Sequence, residues 1–340
     1  MNNMVSSPSQ EAPAQPAEQL SFRQRLRERL SNVVAQLAAA GALLVIFVLL
    51  CFVSPVFLSF NNLFNIVAQT TVTAVIALGM TLVIITAGID LSVGSTAALG
   101  GMTGTLVMAQ VGWPLGVLIG TLVGGAVGLL NGLLITKANL NPFIATLGSQ
   151  SAIRGLVYLS TNAVGVYNLP PDFAILGNGS IFGIPVPLLI LVLLAGLMHL
   201  VLSFTRLGRH AYAIGSNEEA ARLSGISITR TLIAIYVILG LLAGFGGMIA
   251  SSRVISGQPN FGIGLELDII AATVIGGASL FGGQGTILGT LIGAFLIALI
   301  RNGAVLLNIN EFYQDIIIGV VIWLAVYWDQ FRRRRLMKAV

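Results

Sequence analysis

The sequence predicts an all-α integral membrane protein of about ten transmembrane helices, with an inverted internal repeat and both termini in the cytoplasm. The first observation is compositional. Of 340 residues, 56% are hydrophobic and only 9% charged, and the mean hydropathy is +0.94. No soluble domain of this length hides so much apolar surface, whereas apolar runs of about 20 residues are what a bilayer demands of its helices. The second observation is where Lys and Arg fall, and the third is that the chain repeats itself.

In chain order, residues 1 to 20 are rich in Ser, Pro, Gln and Ala and read as disordered. Phe22 to Leu30 is a basic amphipathic patch suited to a membrane surface. Together these make a cytoplasmic N-terminus over 1–32. The next apolar run is too long for a cleaved signal peptide. The transmembrane domain occupies 33–330, with apolar stretches at 33–54, 62–87, 91–110, 114–136, 142–160, 185–204, 229–251, 266–282, 286–306 and 313–329. Gly or Pro marks most joints, and the 40 glycines suit close helix packing in lipid. The longest outer loop is 161–184, and a basic tail fills 331–340.

Between the sixth and seventh stretches lies a long polar segment, 206–226. Ser216 or Asn217 is placed to cap a short helix, Glu218 and Glu219 suit its positive end, and Gly225 suits its stop. That segment predicts a helix of roughly two turns outside the membrane.

Ten crossings put Arg23, Arg25, Arg27, Arg29, Lys137, Arg206, Arg209, Arg222, Arg230, Arg332 to Arg335 and Lys338 on one side. Those are 14 of the 17 basic residues, and the exceptions are Arg154, Arg253 and Arg301. Short cytoplasmic loops retain Lys and Arg, so the basic side is the cytoplasm. The net charge of +5 therefore reports orientation, and no nucleic-acid partner is expected. The repeat pairs Gly88-Ile-Asp-Leu91 with Gly264-Leu-Glu-Leu267 and Gly100-Gly101 with Gly276-Gly277. It also pairs Gly116-Val-Leu-Ile-Gly-Thr121 with Gly285-Thr-Ile-Leu-Gly-Thr290, and Asn139-Leu-Asn-Pro-Phe143 with Asn308-Ile-Asn-Glu-Phe312. The third and fourth stretches thus match the eighth and ninth. The copies are offset by five crossings, an odd number, which makes them antiparallel, an arrangement that recurs in transporters.

Asp90 and Ser92 sit in a polar break between two apolar stretches. An acid at membrane depth reads as functional, which places Asp90 and Ser92 on the solute path with Asn65, Gln69 and Thr73, but both residues are equally placed to cap the third helix. Asn65, Gln69, Thr70, Thr71 and Thr73 give the second stretch several neutral polar groups. These either line a path for a hydroxyl-rich solute or hold helices together by hydrogen bonds. Arg253, Glu266, Asp268, Glu311 and Asp315 read as a charged outer rim, either docking an extracytoplasmic protein or simply solvated. No Gly-x4-Gly-Lys-Ser/Thr loop is present, the two His are too few for a metal cluster, and the single Cys51 excludes a disulfide framework. No catalytic arrangement is visible, so energy for transport comes from an ion gradient or a separate motor.

Several motifs in one order resemble the ribose-type permeases of ABC importers: Asn61-Asn-Leu-Phe-Asn65, Gly88-Ile-Asp-Leu-Ser-Val-Gly-Ser95, Thr205-Arg-Leu-Gly-Arg209, Arg222-Leu-Ser-Gly-Ile226 and Gly289-Thr-Leu-Ile-Gly-Ala294. The likeness covers about Val33 to Trp328. It implies a bacterial inner-membrane subunit that is not an enzyme and binds no cofactor. Two permease copies, expected as a homodimer, would form the pore. A cytoplasmic ATPase would use ATP and Mg, and a periplasmic sugar-binding protein would deliver cargo. Glu219-Ala-Ala-Arg-Leu-Ser-Gly225 fits the core of the family's coupling-helix motif, without its Leu-Pro ending. The resemblance therefore assigns ATPase coupling to Arg209, Asn217, Glu218, Glu219, Ala220, Ala221, Arg222 and Gly225. A branched-chain amino-acid permease of the same type and an ion-coupled secondary transporter are the alternatives.

Overall fold

A computed structural model describes residues 22–338 of the chain. The expected disordered stretch 1–20 lies outside the described residues. The helices are α1 (Phe22–Val53), α2 (Phe60–Ile85), α3 (Val93–Val111), α4 (Trp113–Thr136), α5 (Pro142–Thr161), the single turn α6 (Ile175–Asn178), α7 (Val186–Phe204), α8 (Arg206–Ser216), α9 (Glu218–Leu223), α10 (Ile228–Val254), α11 (Leu265–Ile275), α12 (Ile287–Leu306) and α13 (Glu311–Lys338). A two-residue hairpin, β1 (Ser180–Ile181) with β2 (Ile184–Pro185), accompanies α6 in the long loop. Six of these helices are long and apolar enough to cross a membrane: α1 over Gln36–Val53, α2, α4, α7, α10 and α12.

The backbone departs from the sequence reading in two places. α1 itself runs unbroken through residue 33, where the sequence reading starts the transmembrane domain. The polar segment is two helices, since α8 precedes the expected short helix, now α9. The eighth stretch, 266–282, is helical only as far as Ile275, the end of the 11-residue α11. At 1.5 Å per residue α11 spans about 16 Å, half of a bilayer core. Hydropathy does not see the break, because the glycines after Ile275 are embedded in apolar sequence. The chain nevertheless returns the full height of the bundle here. It leaves α10 beside Asn178, whose amide donates to the Arg253 carbonyl at 2.8 Å. By Gly283 it lies at the end where α10 began, donating to the Ile85 carbonyl at 2.8 Å.

α2 is the axis of the bundle, apolar on all sides and buried from Thr70 to Ile85 apart from half-buried Thr73. Beside it, α3, α4 and α10 pack backbone to backbone. Glycines recur at every fourth position of α4, from Gly116 to Gly132, and place bare backbone along one face. A Cβ on Gly100 would lie 2.7 Å from the Gly120 carbonyl oxygen and 2.8 Å from the Gly244 Cα, so three backbones meet there. The repeated motifs also adopt repeated geometry. Gly276 and Gly289 oppose each other's carbonyl oxygens, as Gly100 and Gly120 do. Asn139 and Asn308 both have positive φ, +55° and +54°. Two residues after each, an Asn side chain caps the next helix. Asn141 accepts from Phe143 N at 3.0 Å and Asn310 from Phe312 N at 2.9 Å.

Candidate functional site

Gln69 and Thr73 stand on one stripe of α2, four residues apart, and Asn65 extends that stripe by another turn. The stripe faces a cavity of about 700 Å³ lined also by α10, α11, α12, α13 and the non-helical 255–264 segment. Gln69 and Thr73 line it; Asn65 is exposed and lies beyond its wall. Ser256, Gln258 and Asn260 add neutral polar groups from the segment between α10 and α11. The volume and the mix of apolar wall with few polar groups suit a small solute. Thr70 and Thr71 spend their hydroxyls on the helix itself, donating to Ile66 O at 2.6 Å and Val67 O at 2.8 Å. Thr71 also reaches Pro187 O at 3.2 Å, the interhelical role open to it from sequence.

Three members of the expected outer rim, Arg253, Asp268 and Asp315, line this same cavity. Asp268 is buried and engaged by Arg301, whose Nε donates to Oδ2 at 3.0 Å and Nη2 to Oδ1 at 2.9 Å. Nη2 also reaches exposed Asp315 at 3.4 Å, so one guanidinium ties α11, α12 and α13 together. Glu266 is buried too, accepting from Gln150 Nε2 at 2.8 Å. Its other oxygen is buried with no hydrogen-bond partner among the described residues. Glu266 and Asp268 therefore do not belong to a solvated rim. An unpaired carboxylate is too costly inside a bilayer, so both draw partners from neighbouring helices. Glu311 remains exposed, and Arg253 is half-buried.

Asp90 and Ser92 are not brought into the cavity. Asp90 Oδ1 accepts from Ser92 N at 2.8 Å and Ser92 Oγ at 2.7 Å. Asn131 Nδ2 donates to Asp90 Oδ2 at 3.2 Å and to Ser92 Oγ at 2.8 Å, while Ser149 Oγ donates to Asn131 Oδ1 at 2.6 Å. Ser92 makes no side-chain cap on α3. Both residues thus belong to a closed network pinning the start of α3 to α4 and α5. Arg154, the remaining basic exception, donates from Nη1 to Pro259 O at 3.0 Å and Phe261 O at 2.7 Å, clamping the cavity-lining segment to α5.

The second surface of interest is the 206–226 segment. Asn217 caps α9 by accepting from Ala220 N at 2.9 Å, and Gly225 adopts φ +81° just beyond its end. Arg222 pairs with Glu218 at 3.2 Å and Glu219 at 3.3 Å, all three on the exposed face, with Leu223 81% exposed. Such surface pairs add little stability but fix a pattern of charge. Ala221 is buried, Ala220 and Arg209 are exposed, and Arg209 Nη1 donates to Phe204 O at 3.2 Å. Beneath α9, α8 rests on the bundle. Tyr212 OH donates to Gly285 O at 2.7 Å, and Gly215 lies against the Ile85 carbonyl. Burial raises the Tyr212 phenol pKa, keeping it a neutral donor. The segment after α11 is thereby held to α8 at one end, while α11 carries Asp268 at the other.

A polytopic helical bundle with a mainly apolar cavity carrying a few polar groups, and a capped charged helix at one end, is the architecture of a membrane permease. The chain belongs to the family described as branched-chain amino acid transport system / permease component, matched over residues 62–326. It is 43% identical over 316 residues to the ribose import permease protein RbsC of Bacillus subtilis, covering 92% of this chain and 98% of that one. To the D-allose transport system permease protein AlsC of Escherichia coli it is 38% identical over 276 residues, 81% of this chain and 85% of the relative. To the L-arabinose ABC transporter permease protein AraH of Azospirillum brasilense it is 36% identical over 341 residues, 99% and 98% of the two chains. No solved structure matches the chain.

Proposed function

We propose that this chain is the pore-forming permease subunit of an ATP-driven, binding-protein-dependent importer of a simple sugar in the bacterial inner membrane. The observation that carries this is near full-length likeness to permeases named for ribose, allose and arabinose. A cavity whose lining includes amide and hydroxyl groups supports it, because such side chains replace a sugar's water hydrogen bonds. Four charged residues line the cavity, and two of them, Asp268 and Arg301, neutralise each other, so the amino-acid reading gains nothing from that pair.

In this reading the chain makes ten crossings with both termini in the cytoplasm, the eighth being α11 with its flanking non-helical segments. Matched Asn corners and matched glycine contacts support the inverted repeat. Two copies form the pore, and a separate ATPase supplies ATP and Mg chemistry. The face of α9 with Asn217, Glu218, Glu219, Ala220 and Arg222, together with Arg209, meets that ATPase; Ala221 and Gly225 seat and end the helix. Closure of the ATPase then moves α8 and α9 as a rigid pair against the bundle. The solute path runs over Asn65, Gln69 and Thr73. Arg253, Glu311 and Asp315 face the delivering sugar-binding protein, while Asp90, Ser92 and Glu266 hold the helices that frame the path.

A pull-down of the tagged chain from detergent, parent against Glu219→Lys, tests the assignment. Recovery of an ATPase with the parent and its loss with the variant is the expected result. A parent that recovers no ATPase, yet accumulates solute alone in liposomes under an ion gradient, would replace this reading with a secondary transporter.

A further inference from the structure

The Asp268–Arg301 pair is poorly explained as a stabilising bridge alone. It carries a buried carboxylate and a guanidinium into a membrane domain, where replacing such a pair by apolar side chains is often neutral or stabilising. Both residues line the cavity, and the Arg301 side chain retains 26% exposure there. The guanidinium is only partly spent. Nε and Nη2 serve Asp268 and Asp315, while Nη1 makes no hydrogen bond among the described residues. That leaves two N–H donors in the fixed plane of the fork, and carboxylate lone pairs on Asp268 beside them. A donor pair beside a carboxylate matches two adjacent hydroxyls. One hydroxyl donates to Asp268 while its neighbour accepts from Arg301, so neither charge gives up its partner.

We propose that Arg301 and Asp268 contact the solute and select for a vicinal diol that includes the sugar's C2 hydroxyl, with Gln69 and Thr73 on α2 also lining the site. This rests on the sugar-permease reading and adds a residue-level basis for discrimination within it. A solute lacking one hydroxyl of the diol leaves a charged group without its hydrogen bond inside the cavity, which is where discrimination between sugars is strongest.

The test uses the complete transporter in proteoliposomes, with its ATPase and the same binding protein throughout, so that any change in selectivity arises in the permease. Uptake of D-ribose and of 2-deoxy-D-ribose is compared for the parent, Arg301→Lys, Asp268→Asn and the exchanged pair Asp268→Arg with Arg301→Asp. The ribose-to-deoxyribose ratio is expected to fall at least about tenfold in both single variants, the worth of one hydrogen bond to a charged group. The exchanged pair is expected to regain melting temperature without regaining the ratio. If uptake of both sugars falls together and the ratio holds, or if the exchanged pair restores the ratio, the pair only ties helices together and the proposal fails. A parent that takes up none of D-ribose, D-allose and L-arabinose but accumulates L-leucine sinks the sugar reading itself, and the diol assignment with it.

Discussion

Gly100→Ala tests the backbone-to-backbone seam most directly. The new methyl would sit 2.7 Å from the Gly120 carbonyl oxygen and 2.8 Å from the Gly244 Cα, where ordinary contact begins near 3.4 Å. Gaps of roughly 0.7 and 0.6 Å must open against two different helices. Because the two contacts belong to different helices, α4 and α10, moving one does not relieve the other. Overpacking of this kind costs about 1–3 kcal/mol, and alanine returns up to about 1 kcal/mol of helix propensity, so the net loss is about 1–2 kcal/mol. Gly196→Ala in α7 is the control, since a Cβ there meets nothing within 4 Å. Propensity alone then acts, and stability is unchanged or gains about 0.5–1 kcal/mol. Tryptophan-fluorescence melting of the purified protein separates the two, at roughly 2–4 °C per kcal/mol. Equal melting temperatures for both variants would refute the seam.

Further outcomes follow from other contacts. Arg154→Met strands the Pro259 and Phe261 carbonyls; a melting loss equivalent to about 2–3 kcal/mol is expected, and an unchanged melt would mean that the clamp carries no weight. Tyr212→Phe removes the bond to Gly285; sugar moved per ATP hydrolysed should drop several-fold, about the worth of one neutral hydrogen bond, with ATPase recovery in the pull-down intact. Asn217→Ala deletes the α9 cap at a cost of about 1 kcal/mol of local helix stability; faster amide exchange over 218–223 measures it, while exchange in α10 should hold.

The polar caps and corners were legible because their chemistry is local. Asn217 ahead of two glutamates announces α9, and the paired Asn-x-Asn corners announce equivalent turns. Partners across helices are not written in local sequence. Gln150 meets Glu266 across 116 residues, and Arg301 meets Asp268 across 33. A signal for these contacts was nevertheless present. Arg154, Arg253 and Arg301 were the three cations that the charge asymmetry did not account for; two prove to be clamps on the cavity-lining elements, and all three belong to its surroundings. α11 escaped for the opposite reason, since its apolar character continues past its last helical turn.

The shortness of α11 also governs how the protein must be made. A segment of 11 helical residues with two acids near its start is unfit to partition into lipid as it leaves the ribosome. An Asp at the centre of a membrane helix costs about 2.5–3.5 kcal/mol on insertion scales, and the flanking non-helical backbone is tolerated only when protein surrounds it. Gln150 and Arg154 on α5 are synthesised earlier, but Arg301 emerges later, on α12. Burial of α11 is therefore a late assembly event. The cavity wall is completed only after a helix translated downstream has brought the counter-charge, so a nascent chain arrested before α12 holds every upstream span and still lacks part of the cavity lining.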